Sequence, residues 1–286
     1  MKIFNNFSLK DYNAYHLDAT CAKAFFPSTS SDFIDIFTKY NQVPKIIIGD
    51  GNNIILSKKY YNNYFVIINE CFDKIEINNE NMIVQSGATL LQLSNLALEH
   101  SLSGLEVFYD IPSSLGGAVV MNAGAYGEEI KDIVLKVKYL DLSDLRFKVK
   151  ANKEIDFTYR NSFFQNNKDK IVLKVWLSLK KGNKSNIKDK MDRIKSIRWE
   201  KQPRDYPNCG SVFKRPGKNI YVGPMMDELD LKGYRIGDAM VSKKHSGFIV
   251  NVGNATGDDI LNLIKSIQKK IKEAFNIDLE IEQRVI

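Results

Sequence analysis

Five glycines, Gly104, Gly116, Gly117, Gly124 and Gly127, fall within twenty-four residues of a 286-residue chain. A stretch this rich in glycine makes a poor helix or central strand; it reads as a series of close turns, open to φ values that other residues avoid. Two readings of it stay open. Its N–H groups can approach a ligand closely, with pyrophosphate and flavin ring atoms as natural targets. Equally, the glycines can serve tight turns between strands.

On either side the pattern is mixed strand and helix. The spacing predicts a capped helix starting at Ser30, a buried strand over 44–48, a polar turn Gly49-Asp50-Gly51-Asn52-Asn53, and a second apolar run over 54–56. Strand, tight turn, strand is the pattern of a backbone loop that can hold an anion. Short strands are expected at 64–68, 74–77 and 82–85, then an amphipathic helix over 89–100, then strands at 134–142, 146–150 and 171–179. Residues 180–186 read as a linker or hairpin connection. A helix follows to about Glu200, with Ile187, Met191, Ile194 and Ile197 on one face. Thr256-Gly257-Asp258-Asp259 opens the last helix as a capping box, and Ile260, Ile264, Ile267 and Ile271 form its buried stripe. Residues 278–286 are expected to close the chain as a strand. Length alone suggests two domains, or three small ones.

A chain 44% hydrophobic and 26% charged is neither disordered nor fibrous. No run of about 18 apolar residues exists, which excludes a membrane-spanning helix. The segment Met1–Phe7 turns polar at once, so no secretory signal is expected. Cys21, Cys71 and Cys209 are odd in number and lack metal spacing, the pattern of a reduced, cytosolic protein. His16, His100 and His245 lie far apart, so no metal site is expected, and His245 reads as a structural hydrogen-bonding residue. Gly49-Asp50-Gly51 lacks the third glycine of a dinucleotide fingerprint and leads into a strand; a P-loop and a G-x-S-x-G elbow are both absent. The net charge of +7 admits nucleic acid, an anionic membrane or small polyanions as partners. Thirteen Lys and Arg fall between Lys168 and Arg204, yet they accompany a helix with an ordinary apolar face and no aromatic interleaving. That is a solvated surface rather than a nucleic-acid interface.

Two segments carry candidate chemistry. Gly210-Ser211 places a serine close to Lys214, and a hydroxyl can donate a proton where a neighbour stabilises the alkoxide. A plain turn explains the dipeptide as well. Cys209, with no base nearby in sequence, reads as a small buried filler. Arg160 sits in Phe157-Thr158-Tyr159-Arg160-Asn161-Ser162, an aromatic context that could bury a guanidinium. A buried arginine needs an anion, and a substrate carboxylate would supply one; a salt-bridged surface arginine is the alternative.

In their order, these segments resemble the UDP-N-acetylenolpyruvoylglucosamine reductase family over nearly the whole chain, from Asn6 to Glu282. The resemblance rests on Gly49-x-Gly51-x-Asn53, on Gly104-Leu105-Glu106 through Gly127, on Tyr159-Arg160-x-Ser162 with Gly210-Ser211-Val212-Phe213-Lys214-x-Pro216, and on Leu279-Glu280-x-Glu282. It implies an α+β chain: an FAD-binding fold of the vanillyl-alcohol-oxidase/PCMH type in two subdomains, 1–57 and 58–182, and a C-terminal α+β substrate-binding domain, 183–278. The strand 279–286 is a candidate to return to the first subdomain.

The same resemblance implies FAD as cofactor, NADPH as co-substrate, and reduction of the enolpyruvyl UDP-sugar to UDP-N-acetylmuramate for peptidoglycan precursors. Ser211 matches the proton donor, and Arg160 and Glu282 the pair that supports the enol-like intermediate. FAD contacts are expected from Gly49, Gly51, Asn52, Asn53, Ile111, Pro112, Ser113, Ser114, Gly116, Gly117, Asn122, Gly124, Ala125 and Gly127. Substrate contacts are expected from Tyr126, Tyr159, Lys201, Lys214 and Arg215. The setting would be cytoplasmic, without nucleic acid or membrane insertion, and a monomer is favoured.

The chain departs from the family pattern at Asp110 and Ser113, where Gly-Ile-Pro-Gly is usual, at Asn52, at Arg215, at Gly237-Asp238-Ala239, and at Asn13-Ala14-Tyr15, where Asn-Thr-Phe is usual. The 51 residues from Arg160 to Ser211 and the 71 from Ser211 to Glu282 resemble the family's second type, which lacks a loop that folds a tyrosine over the substrate.

Overall fold

Period-two and period-3.6 apolar patterns become strands and helices along the whole chain. A computed structural model describes residues 1–286. The first stretch holds β1 (Lys2–Ser8), β2 (Thr20–Phe26), α1 (Ser30–Lys39), β3 (Lys45–Ile48), β4 (Ile54–Ile55), β5 (Tyr60–Ile67), β6 (Ile75–Asn78) and β7 (Asn81–Gln85). Then come α2 (Leu90–Glu99), β8 (Leu102–Ser103), α3 (Leu115–Met121), β9 (Gly124–Ala125), β10 (Glu128–Glu129), β11 (Val134–Asp141), β12 (Arg146–Ala151), α4 (Phe163–Asn166) and β13 (Lys170–Ser178). The rest is β14 (Lys180–Lys181), α5 (Lys184–Lys201), α6 (Val222–Glu228), β15 (Arg235–Ile236), β16 (Ala239–Val241), β17 (Ile249–Asn251), α7 (Gly257–Phe275) and β18 (Arg284–Val285).

The chain divides into two units. The first comprises Met1–Phe4, Lys23–Asp50 and Asn63–Arg198; the second comprises Asn5–Ala22, Gly51–Asn62 and Trp199–Ile286.

In the first unit an antiparallel sheet runs in the order β12-β11-β13-β7-β6. Val137 and Tyr139 from β11 and Val175 and Leu177 from β13 enter one core with Leu90 and Leu93 of α2 and Leu115, Ala118 and Val119 of α3. A register shift pairs Lys138 with Lys174 but Tyr139 with Val172, so Leu173 is the extra residue of a bulge. The bulge turns Val172 into that same core. Ile171 and Leu173 go instead into a second core with Phe25, Phe33, Ile36, Val66 and Phe72. β3 pairs parallel with β5, from Lys45 opposite Tyr64 to Ile48 opposite Ile67.

In the second unit β15, β16 and β17 form an antiparallel sheet with α7 packed on β15 and β16. α7 starts at Thr256, whose hydroxyl accepts from Asp259 N while the Asp259 carboxylate accepts from Thr256 N. Its expected stripe is real: Ile260, Ile264, Ile267 and Ile271 are all fully buried. No helix is long and apolar enough to cross a membrane.

Three expectations need correction. Residues 278–286 are not one strand. Only Arg284–Val285 is, pairing parallel with β4, because Ile281 instead bridges Phe213 and turns the backbone away from a continuous ladder. Lys180–Lys181 is not bare linker but a short strand paired with Leu102–Ser103. In α5, Ile187, Met191 and Ile194 are buried as expected, while Ile197 is only half-buried one turn from the helix end.

One buried polar atom in the first unit is unsatisfied. The Ser86 main chain is engaged, its N–H donating to Leu173 O at 3.0 Å and its carbonyl accepting from Gly116 N at 2.8 Å. Its hydroxyl, on a residue 1% exposed, has no hydrogen-bond partner. Stranding a hydroxyl this way costs about 1–3 kcal/mol, more than the small void left by its removal. Ser86→Ala is therefore expected to raise the urea midpoint, by about 1 kcal/mol of stability; a lowered midpoint would show that the hydroxyl has a partner.

Candidate functional site

In the first unit the glycine-rich segment is held by the chain's own atoms. Ser114 caps α3, its hydroxyl accepting from Gly117 N at 3.4 Å. Leu115 N and Gly116 N donate to Ala88 O and Ser86 O, both at 2.8 Å. A Cβ on Gly116 would lie 2.9 Å from Ser86 Cβ, and one on Gly49 would lie 2.3 Å from Ser114 Oγ. A Cβ on Gly124 would meet Glu128 O at 2.3 Å. Close packing against the chain itself therefore requires glycine at these three sites, in favour of the tight-turn reading. Gly127 is different: it has open space around it and a φ of +88°.

Asn122 ends α3 in the left-handed region and is fully buried. Its amide donates to Glu129 Oε2 at 3.0 Å and to Thr158 O at 2.9 Å, and its Oδ1 accepts from Lys131 N at 3.3 Å. That side chain ties the glycine segment to the turn that carries Arg160. Thr158 and Asn161 exchange both main-chain hydrogen bonds around Tyr159-Arg160, and Arg160 sits at φ +53°. A long side chain at positive φ is a strained choice where glycine is the easy one. The Arg160 guanidinium donates to Gly124 O at 2.8 Å and Asn122 O at 3.4 Å, and lies 5.1 Å from the Tyr159 ring. Ser162 fixes the turn from its far side, donating to Val120 O at 2.7 Å. Tyr126, at φ +52°, is 55% exposed.

A charged seam fastens α5 along the start of this segment. Glu106, 2% exposed, accepts from the Ser103 hydroxyl at 2.6 Å and from Gly104 N at 3.0 Å, and lies 3.6 Å from Lys190 Nζ. Lys190 also pairs with Glu128 at 2.7 Å. Lys195 Nζ stands 5.5 Å from the Tyr109 ring centre. Arg198 Nε donates to Asp110 Oδ2 at 2.9 Å, with both side chains near 10% exposed. None of this was legible in the sequence, since Asp110 and Arg198 are 88 positions apart.

In the second unit Gly210, at φ +76°, turns the chain into Ser211. Ser211 bridges Phe248, Val212 N donates to Gly247 O at 3.0 Å, and Val212 and Phe213 are buried. This segment runs antiparallel to the C-terminal motif. Lys214 N donates to Glu280 O at 2.9 Å, and Glu282 N donates to Val212 O at 2.8 Å. Ser211 and Glu282 thus lie on adjacent paired segments of one unit. Asn53 holds the outer side of the motif: its amide donates to Glu282 O at 3.2 Å, and its carbonyl accepts from Arg284 N at 2.9 Å. A Cβ on Gly51 would lie 2.0 Å from Tyr12 O.

The other expected contacts vary. Lys214 pairs with Glu280 at 2.6 Å, and Arg215 lies 5.7 Å from the Tyr221 ring. Lys201 is the exposed last residue of α5. Cys209 is buried, and burial pushes its thiol up to about 12, which makes it no nucleophile. His245 Nδ1 accepts from Gly247 N at 3.1 Å, as expected of a structural histidine.

Two acids flank the glycine loops, and both bear on whether an anionic dinucleotide fits. Asp110 is matched by Arg198. Burial, with the Glu70 carboxylate nearby, pushes the Asp50 carboxyl up to about 6, so it loses its charge only below about that pH and stays largely ionised at neutrality. Asp110 is thus compensated, while Asp50 keeps its charge at neutral pH. The open space at Gly127, at φ +88°, and the matched Asp110 are the features that fit a bound diphosphate.

Residues 202–286 match the family described as UDP-N-acetylenolpyruvoylglucosamine reductase, C-terminal domain, and residues 22–144 match an FAD binding domain. The UDP-N-acetylenolpyruvoylglucosamine reductase of Caldanaerobacter subterraneus subsp. tengcongensis is 40% identical, over 100% of this chain and 94% of that protein. That of Francisella tularensis subsp. tularensis is 43% identical, over 98% of each. The crystal structure of the Thermus caldophilus reductase is similar at a TM-score of 0.83 and 29% identity, covering 99% of this chain and 98% of that one.

The Asp50 carboxyl gives a test with a definite sign. In the unfolded chain it titrates near 3.8, and in the folded chain near 6. Between those values the folded chain keeps a proton that the unfolded chain has lost, so stability falls as pH rises through that window. Above it the penalty is complete. Asp50→Asn is expected to stabilise the protein at pH 8 by up to about 3 kcal/mol, with the gain vanishing near pH 4. Thermal unfolding at both pH values checks this; a gain independent of pH would contradict it.

Proposed function

The chain belongs to the UDP-N-acetylenolpyruvoylglucosamine reductase family, and from that premise we propose the parts its residues play. It is a flavin-dependent oxidoreductase of peptidoglycan precursor synthesis, with FAD as cofactor and NADPH as co-substrate. Bound FAD, reduced by NADPH, supplies the hydride that adds to the enolpyruvyl double bond of the UDP-sugar.

Ser211 delivers the proton to the carbon next to the carboxylate. Arg160 stabilises the charge that develops on that carboxylate; its fixed backbone anchors mean little reorganisation is needed. Glu282 hydrogen-bonds the carboxylate oxygen when protonated. The loop Gly49, Gly51, Asn52 and Asn53 and the segment from Ile111 to Gly127 would hold FAD. Tyr126, Tyr159, Lys201, Lys214 and Arg215 would hold the UDP-sugar. The lobes follow these roles, with 1–57 and 58–182 on the flavin and 183–278 on the sugar nucleotide. The setting is a cytoplasmic monomer acting on small molecules, not nucleic acid.

The observation that supports this reading is the pairing of 212–214 with 280–282, in which Glu282 N donates to the carbonyl of Val212, the residue after Ser211. Purified protein is expected to show flavin absorbance in the blue, or to acquire it with added FAD. Ser211→Ala is expected to leave NADPH-dependent flavin reduction within about twofold while slowing turnover of the enolpyruvyl sugar by about 100-fold or more. Rapid-mixing kinetics of the two half-reactions check this. Equal loss in both would remove Ser211 from the donor role.

A further inference from the structure

The Tyr15 hydroxyl donates to Gln283 Oε1 at 3.0 Å, and the two residues are 0% and 3% exposed. Gln283 Nε2 faces three successive carbonyls, those of Cys209 at 3.2 Å and of Gly210 and Ser211 at 3.5 Å. The Tyr15 carbonyl accepts from Asn251 Nδ2 at 2.9 Å, which fixes the tyrosine's own backbone. Gln283 directly follows Glu282, whose N–H is bound to Val212 O. One buried amide thus fastens the turn before Ser211, and Ser211 itself, to the residue after Glu282.

Tyr15 carries one oxygen more than a phenylalanine of the same shape would. The hydroxyl it adds is the atom that meets Gln283. Burial raises the phenol well above its usual range, so it stays a donor at any working pH. An amide buried this deeply needs its oxygen satisfied as well as its N–H groups, and the phenol does that.

We propose that Gln283, oriented by Tyr15, is a positioning residue for the reaction: it sets the register of the Gly210-Ser211 turn against Glu282. The proposal rests on the reading of Ser211 as proton donor. Gln283 touches no reacting atom; it acts through the backbone of the two residues that do. Displacement of a reacting group by about 1 Å can cost about 100-fold in rate, which is the scale at which a loosened turn would be felt.

The test compares holoenzyme with Tyr15→Phe, Gln283→Met, the double variant and Ser211→Ala, following flavin reduction by NADPH and flavin reoxidation by the enolpyruvyl UDP-sugar. Tyr15→Phe is expected to slow reoxidation about fivefold and Gln283→Met about 100-fold, each leaving reduction by NADPH within about twofold. The double variant is expected to be no slower than Gln283→Met, because the phenol acts only through the amide. Amide hydrogen exchange over 209–213 and 281–284 is expected to rise in both single variants. Unchanged reoxidation, equal slowing of both half-reactions, multiplying effects in the double variant, or unchanged exchange would each overturn the proposal. Should Gln283→Met fail to fold, Tyr15→Phe decides alone, since it removes one oxygen atom. If Ser211→Ala leaves reoxidation intact, the donor reading fails, and that outcome is distinct from failure of the Gln283 variants.

Discussion

The antiparallel pairing of residues 212–214 with 280–282 is the constraint on which the candidate site of the second unit depends. Two main-chain hydrogen bonds, Lys214 N to Glu280 O and Glu282 N to Val212 O, pair the residue after Ser211 with a glutamate that lies 71 positions beyond the serine. Neither side chain has to be held individually. Its place is set by backbone that is paired on one side, by the buried Val212 and Phe213 beneath, and by Asn53 and Gln283 at the edges. A side chain whose backbone is held this way loses less orientational freedom than one on a mobile loop.

Charge is handled in the first unit by a different device. α5 has few apolar anchors, and its inward edge is basic. Lys190, Lys195 and Arg198 meet Glu106, Tyr109 and Asp110 in the order in which they occur, a seam of one ion pair, one cation–ring contact and one nearly buried ion pair. Asp110 is a departure from the family pattern, and the seam explains how it is tolerated. A lone carboxylate there would disfavour a bound dinucleotide; matched by Arg198, it becomes a fastening point. The net charge of +7 therefore acts partly inside the fold, and the electrostatic attraction of anionic ligands draws on what remains.

Much of this was legible in the sequence, for local reasons. The capping box at Thr256 and the isoleucine stripe of α7 need only neighbours within a few turns. The motifs around Arg160, Ser211 and Glu282 are contiguous and fell in order. What escaped was set by partners far away. Leu279 and Ile281 alternate as in a strand, yet Ile281 bridges Phe213 and only Arg284–Val285 joins β4. The bulge at Leu173 depends on the register of β11, which no pattern in β13 alone encodes. The glycines left a ligand cradle and tight turns equally open, and Gly49, Gly116 and Gly124 are closely packed against Ser114, Ser86 and Glu128. The Tyr15 hydroxyl has its partner 268 positions later, beyond the reach of any local pattern.

That separation has a consequence in time. The first unit draws most of its residues from the single stretch 63–198, so its sheet and both cores can close while the chain is still being made. The second unit gathers 5–22, 51–62 and 199–286. Loops that long are slow to close, and contacts of this span form late. Through most of synthesis Tyr15 has neither Gln283 for its hydroxyl nor Asn251 for its carbonyl. The setting of Ser211 is thus among the parts of the molecule that acquire a shape late, after the first unit has closed.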